Sequence, residues 1–166
     1  MSRITKTIAE DVARQLTAKK SEEVDKLKND LKLLNTQIYV SKLPSSVMDM
    51  FEDYPEYFNK SSSESVTGPG LNKWHRVEFT RSLPRSNNNS INLDAKEAQK
   101  IIKLEDKIED KGKAYKELFE KIEIALINLR TYANVQREFP EAFKLLPASN
   151  IGMKLAVNVA DIRKQL

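Results

Sequence analysis

A row of apolar residues recurs every seven positions through the middle of the chain. It follows a helix-start signature at Asp94, crosses densely charged sequence, and consists of Ile101, Ile108, Tyr115, Ile122 and Leu129. A seven-residue repeat keeps one apolar stripe on one side of a helix, and a stripe this long requires a partner helix to cover it. The row therefore predicts a scaffold of long packed helices. It indicates no particular chemistry.

The first 40 residues carry the second long stripe. Apolar residues recur at spacings of three and four from Ile4 to Ile38, which is the periodicity of a helix. Thr7 could form a capping box with Glu10, and Ser2 and Thr5 are competing starts of this helix. Because the stripe weakens at 19–21, the segment is either one long helix or two helices with a joint there.

The segment between the two long helices has a different pattern. Val77 and Phe79 occupy alternate positions with charged residues between them, which predicts a half-buried strand. A short return at 91–93 would complete a small β-hairpin near 72–93. The polar stretch from 59 to 70 ends in turn-forming residues, and we expect it to be an exposed loop.

These patterns predict an α+β fold that is predominantly helical and forms one domain over 1–166, a length sufficient to bury a core. Gly112 interrupts the central helix, but the heptad row keeps its phase across the glycine, which favours a continuous helix. The expected order is an N-terminal helix in 1–40, a short helix in 44–58, a loop and β-hairpin in 59–93, a long helix in 94–130 and short C-terminal helices in 131–166.

Composition excludes several kinds of site. The absence of cysteine removes disulfides, thiolate metal sites and cysteine nucleophiles. His75 is the only histidine, which is too few for a conventional zinc site, so we expect no metal and no cofactor. No apolar run reaches the roughly 18 residues that cross a bilayer. The N-terminus also lacks the apolar stretch of a secretory signal, and the expected compartment is the cytoplasm of a bacterial cell.

The sequence favours a protein without catalytic activity. The only closely spaced glycines, Gly68 and Gly70, precede a predicted strand instead of opening a helix as a phosphate loop does. The acidic residues of the central helix alternate with lysines, which is typical of a solvated face with ion pairs four residues apart. His75 is expected to be a half-buried packing residue. Two helices packed along their apolar edges should leave no sheltered pocket where reactive groups could converge.

One cluster has the composition of a nucleic-acid contact. Four cations and one indole fall within 13 residues, at Lys73, Trp74, Arg76, Arg81 and Arg85. A strand and turn that display cations beside a flat aromatic ring can hold phosphates and stacked bases. The same residues would also suit an ordinary exposed sheet face on which arginine stems cover Trp74.

A second cluster has the composition of a protein contact. Tyr54, Tyr57 and Phe58 stand among acidic residues, as aromatic residues often do at protein interfaces. These rings could instead cap the end of the helical core. The apolar row is poorly filled around Gly112, which leaves a coiled-coil homodimer open as a further arrangement.

Several short stretches resemble a known family. Thr131-Tyr132, Phe139-Pro140-Glu141 and Leu146-Pro147 are similar to the C-terminal pattern of small tailed-phage proteins described as nucleotide modification associated domain 5. The opening at 3–6 and the stretch Asp53-Tyr54-Pro55-Glu56 are similar as well, in the same order. The resemblance implies a bacteriophage origin and an association with base-modification genes, and it brings no catalytic residue to this chain.

Two functions follow from these observations. The leading hypothesis is a non-enzymatic phage accessory protein in the host cytoplasm, which binds a host or phage macromolecule during host takeover or counter-defence. Its expected contact residues are Tyr54, Tyr57, Phe58, Trp74, Arg76 and Arg81. The alternative is a component of phage nucleotide or DNA modification that contacts nucleic acid through the basic hairpin. Neither hypothesis involves a membrane.

Overall fold

The computed structural model describes residues 2–58, 60–82 and 91–147, without the side chains of residues 51, 57 and 58. The fold is α+β and mostly helical, as the sequence predicts. The elements in chain order are α1 (Lys6–Val40), α2 (Ser45–Asp53), a 3-10 helix (Pro55–Phe58), β1 (Ser62–Thr67), β2 (Arg76–Phe79), β3 (Ile91–Asn92), α3 (Ala95–Leu129), α4 (Tyr132–Glu138) and α5 (Pro140–Phe143).

Helix α1 is a single helix of 35 residues, with no joint at 19–21. Thr5, not Thr7, caps its first turn, because the Thr5 hydroxyl accepts a hydrogen bond from the Ile8 N–H at 3.3 Å. Such a bond satisfies one of the N–H groups that the first turn of a helix leaves without a backbone partner.

Helix α3 begins at the predicted capping box. The Asp94 carboxylate accepts hydrogen bonds from the N–H groups of Lys96 and Glu97, both at 2.8 Å. The Glu97 carboxylate in turn accepts from the Asp94 N–H at 2.9 Å. The hydrogen bond from the Glu97 N–H to the Asp94 carboxylate is the main reason that the pKa of Asp94 lies below its ordinary value. The two reciprocal bonds fix the start of the helix.

Gly112 lies within α3, which continues unbroken for 35 residues. A Cβ at this position would meet nothing within 4 Å. Gly112→Ala should therefore raise the free energy of unfolding by about 0.5–1 kcal/mol, because alanine restricts the unfolded chain and favours the helix without a clash. Urea denaturation measures the change. The reverse substitution Ala114→Gly, at an exposed position of the same helix, should lower stability by a similar amount.

The sheet differs from the predicted hairpin. Its strand order is β2-β1-β3, with β1 in the centre, antiparallel to β2 and parallel to β3. The expectation of an exposed loop over 59–70 was wrong, since β1 occupies 62–67, and the expected pairing of the strands near 77 and 91 is replaced by pairing of each with β1. Only Val66 of β1 is buried. A strand this polar lacks the alternation of apolar and polar residues from which a strand is predicted. It forms because β2 and β3 pair with its backbone.

Contacts between residues divide the chain into two compact units, with boundaries after Lys19 and after Lys113. The sheet unit comprises residues 20–113, and the terminal unit comprises 1–19 with 114–166. The core of the sheet unit consists of Ile38, Tyr39, Val66, Val77, Phe79, Leu93, Ala98 and Ile101. The core of the terminal unit consists of Ala9, Val12, Leu126, Val135 and Ala142. The single domain over 1–166 stays a prediction.

Candidate functional site

A tight turn at 72–75, the Trp74 turn, places Lys73 and Trp74 at its tip. The Asn72 carbonyl accepts a hydrogen bond from the His75 N–H at 2.9 Å, and the Asn72 side chain accepts another from the Trp74 N–H at 3.2 Å. Asparagine favours such turns because its side chain can bond to the backbone two residues ahead. Trp74 is consequently 80% exposed, and the Lys73 ammonium lies 5.8 Å from the centroid of its ring.

Arg76 follows the turn on an exposed position of β2, where it pairs in register with Ser65. Arg81 is exposed beyond the opposite end of β2, where its carbonyl accepts a hydrogen bond from the Ser62 hydroxyl at 3.0 Å. The structure therefore brings Lys73, Trp74 and Arg76 together at one end of the strand and leaves Arg81 at the other. Arg85 lies outside the described residues.

A groove of about 410 Å³ lies beside β2 within the sheet unit. Helix α1 contributes Lys28 and Lys32 to it, and helix α3 contributes Glu105 and Glu109. Each pair is spaced by four residues, which places both members on one face of its helix. One wall of this mixed-charge groove is therefore cationic and another is anionic. Packing along apolar edges predicted no sheltered pocket. The groove gathers ionisable side chains at the surface of the sheet unit but is open to solvent, so this expectation stays a prediction.

Asn35 lines the mixed-charge groove and is only 3% exposed. Its amide nitrogen donates a hydrogen bond to the Glu78 carbonyl at 3.1 Å, which ties α1 to β2. A carbonyl can only accept, so this bond fixes the orientation of the amide and turns Oδ1 away from Glu78. Among the described residues, Oδ1 has no hydrogen-bond partner. A buried acceptor left unpaired is uncommon in folded proteins and calls for an explanation.

His75 and Glu105 join the Trp74 turn to helix α3. The Nε2 atom of His75 lies 3.1 Å from a Glu105 carboxylate oxygen, at ion-pair distance but without the alignment of a hydrogen bond. Burial raises the pKa of the Glu105 carboxyl, while His75 opposes the rise and Asp106 adds to it. The contact positions the turn beside the groove.

Glu105→Gln should change how stability depends on pH. Because the folded-state pKa of Glu105 is raised, its contribution to stability is fully present below the unfolded pKa and is lost as pH rises through the folded pKa. Glutamine does not ionise and avoids that loss. The free energy of unfolding of the variant, relative to the original protein, should therefore increase between about pH 4 and pH 7. Urea denaturation across this range measures the difference, and a flat or falling difference contradicts the raised pKa.

The expected protein-contact cluster is only partly described. Tyr54 is 52% exposed at the end of α2, and Met50, one turn earlier, is 51% exposed. The backbone of the following 3-10 helix includes residues 57 and 58. The side chains of Tyr57 and Phe58 lie outside the described part of the chain.

The cluster of cations around Trp74 was predicted from the sequence, but Lys73 and Trp74 lie in a turn before β2 and not on the strand, and the groove was not predicted. The lysines of α1 and the carboxylates of α3 lie more than 70 positions apart in the chain, and only packing of the sheet unit brings them to one place. Asn35 was detectable in principle, because it is a polar residue four positions after Leu31 and three before Ile38, within an apolar stripe.

Residues 3–166 match the family described as nucleotide modification associated domain 5. The chain belongs to this family, which confirms the resemblance of its short motifs. No curated protein and no solved structure gives a significant match. In the described residues, no helix combines the length and the apolar character needed to cross a membrane.

Proposed function

We propose that this protein is a nucleic-acid-binding component of a nucleotide- or DNA-modification system, and that it contacts single-stranded nucleic acid through the Trp74 turn. The observation that carries the proposal is the 80% exposure of Trp74 beside Lys73 and Arg76. A large aromatic ring held out in water by a hydrogen-bonded turn gains stability when a base stacks on it, and flanking cations attract the phosphates on either side. The family's description, which associates it with nucleotide modification, agrees with this use of the turn.

Binding of a labelled single-stranded oligonucleotide, followed by fluorescence anisotropy over a range of salt concentrations, tests the proposal. Each phosphate contact to a single strand contributes about 0.7 to the slope of log affinity against log salt, so contacts through Lys73 and Arg76 give a slope near −1.4. Trp74→Ala should weaken binding by about 5- to 150-fold, which corresponds to one stacked base. Trp74→Phe should retain most of the affinity because it keeps an aromatic face.

The matched control distinguishes binding at a specific surface from a general effect of the protein's positive charge. Lys116→Ala combined with Lys121→Ala removes the same charge as Lys73→Ala combined with Arg76→Ala, from exposed positions in the terminal unit. The control should bind nearly as well as the original protein, and the Lys73 and Arg76 variant should lose most of the salt dependence. Absence of binding at low salt, or equal losses in both variants, contradicts the proposal.

A second candidate is the phage accessory protein that binds a host or phage protein. The observation that favours it is the exposure of Met50 and Tyr54 among the acidic residues of α2. Exposed apolar side chains within a charged surface are frequent at interfaces. A partner captured from bacterial lysate should be lost with Met50→Ala and Tyr54→Ala and retained with Trp74→Ala. Retention of the partner by the Met50 and Tyr54 variants counts against this surface.

A further inference from the structure

The two charged walls of the mixed-charge groove differ in which groups are already neutralised. Lys32 is paired with Glu78 at 2.9 Å. Lys28 makes only a long contact with Asp25, 3.5 Å across an exposed helix turn, and such exposed pairs contribute little. Within the described residues, Arg76 has no carboxylate partner. Lys28 and Arg76 are therefore the cations of this groove that remain available to an anion.

The anionic wall has a comparable asymmetry. Glu105 is engaged by His75, whereas Glu109 is exposed and forms no ion pair within the described part of the chain. A carboxylate only accepts hydrogen bonds, and two neighbouring N–H groups can bond to its two oxygens at once. Glu109 is thus an acceptor for a ligand that presents N–H donors.

Apolar side chains also line the groove. Val77 is buried, and Leu31 and Ile108 are half-buried where they line the groove. Beside them, Asn35 carries its unpaired acceptor Oδ1. A complementary ligand has an anionic group, a flat apolar body and an N–H-rich edge. The volume of about 410 Å³ lies within the roughly 300–1,000 Å³ typical of small-molecule sites.

We infer that the mixed-charge groove binds a single nucleotide, with its phosphate between Lys28 and Arg76, its base against Leu31, Val77 and Ile108, and the base's N–H edge on Glu109. This inference rests on the proposed function and deepens it. Arg76 belongs both to the groove and to the strand that follows the Trp74 turn, so a nucleic-acid strand stacked on Trp74 passes the opening of the groove. One nucleotide turned out of such a strand would enter the groove, as bases do in enzymes that act on extruded nucleotides.

The Glu109 carboxylate, which can only accept hydrogen bonds, determines which base is preferred. Guanine presents two adjacent N–H donors on its pairing edge and can bond to Glu109 through both. Adenine and cytosine offer an amino group beside an acceptor nitrogen. Uracil and thymine place their single N–H between two carbonyls, which repel a carboxylate. The expected order of affinity is guanosine monophosphate first and uridine monophosphate last.

Isothermal titration of the whole protein with guanosine monophosphate, uridine monophosphate and inorganic phosphate tests the inference. Glu109→Gln should weaken the binding of guanosine monophosphate by about 10- to 150-fold, as expected for a lost charge-assisted contact, and should not weaken the binding of uridine monophosphate, whose carbonyls no longer meet a carboxylate. Lys28→Ala should weaken the binding of both nucleotides. Asp110→Asn makes the same charge change at the next residue, which does not line the groove, and should alter neither affinity.

Several outcomes would overturn the inference. They are absence of binding at about 1 mM guanosine monophosphate, phosphate binding as tightly as the nucleotide, and equal effects of Glu109→Gln and Asp110→Asn. All three substituted side chains are exposed, so circular dichroism should confirm an unchanged fold. If oligonucleotides bind through Trp74 and free nucleotides do not, only the groove assignment fails. If free nucleotides bind and oligonucleotides do not, the proposed function fails while the groove assignment stands.

Discussion

Phe79→Ala is expected to lower the free energy of unfolding by about 3–5 kcal/mol. Phe79 is 1% exposed and packs against Tyr39, with ring centroids 5.6 Å apart, in the sheet unit's core. Removing the ring forfeits its burial and leaves a cavity that neighbouring side chains fill only in part. Urea denaturation followed by circular dichroism measures the loss.

The matched control is Phe119→Ala, which removes the same ring from a half-buried position in the terminal unit. A cost below that of Phe79→Ala is expected because less apolar surface returns to water. A loss under about 1 kcal/mol for Phe79→Ala would contradict its place in the core.

Leu126→Ala extends this experiment to the prediction of a single domain. Leu126 is fully buried in the core of the terminal unit, so its truncation should cost about 2–5 kcal/mol. If 1–166 is one domain, Phe79→Ala and Leu126→Ala shift one shared unfolding transition. Two separable transitions, each shifted by only one of the variants, would contradict the single domain.

Asn35→Asp is expected to cost about 3–5 kcal/mol at neutral pH, the range for a buried charge without a partner. The substitution preserves shape, removes the donor to the Glu78 carbonyl and places a carboxylate at a position that is 3% exposed. Burial raises the pKa of such a carboxyl, so the penalty should shrink as the pH falls and the aspartate takes up a proton. Thermal or urea denaturation at pH 7 and near pH 4 measures both effects.

Asn29→Asp provides the same chemical change at an exposed position of α1. It should alter stability by no more than about 0.5 kcal/mol. Similar small effects of both substitutions, or a penalty at Asn35 that does not depend on pH, would show that the amide bond to β2 is not part of the folded core.

The helices could be predicted because their signals are local. The reciprocal bonds of Asp94 and Glu97 join residues three positions apart, and so does the Thr131 cap, which accepts from the Asn134 N–H at 3.3 Å. All five residues of the heptad row are buried or half-buried in α3. The alternation at Val77 and Phe79 likewise gave the buried face of β2.

Strand β1 and the groove depend on distant partners instead. Residues Ser62 to Ser65 form a strand because β2 pairs with them, and their own side chains carry no strand pattern. Lys73, Trp74 and Arg76 could be predicted as candidate contacts because an indole stands among cations in the sequence, although the turn that displays Trp74 could not. The groove was not visible, because lysines and glutamates four residues apart on a helix have the same pattern whether they face solvent or a cavity.

Trp74 is the only tryptophan in the chain, so its fluorescence reports directly on the surface proposed to bind nucleic acid. Titration of the protein with a single-stranded oligonucleotide at low salt should quench this fluorescence and shield the indole from a soluble quencher such as acrylamide. Raising the salt concentration should reverse both effects, and the logarithm of the binding affinity should fall against the logarithm of the salt concentration with a slope near −1.4. An oligonucleotide that binds without changing the emission or accessibility of Trp74, or that does not bind at all, would contradict nucleic-acid binding through the Trp74 turn.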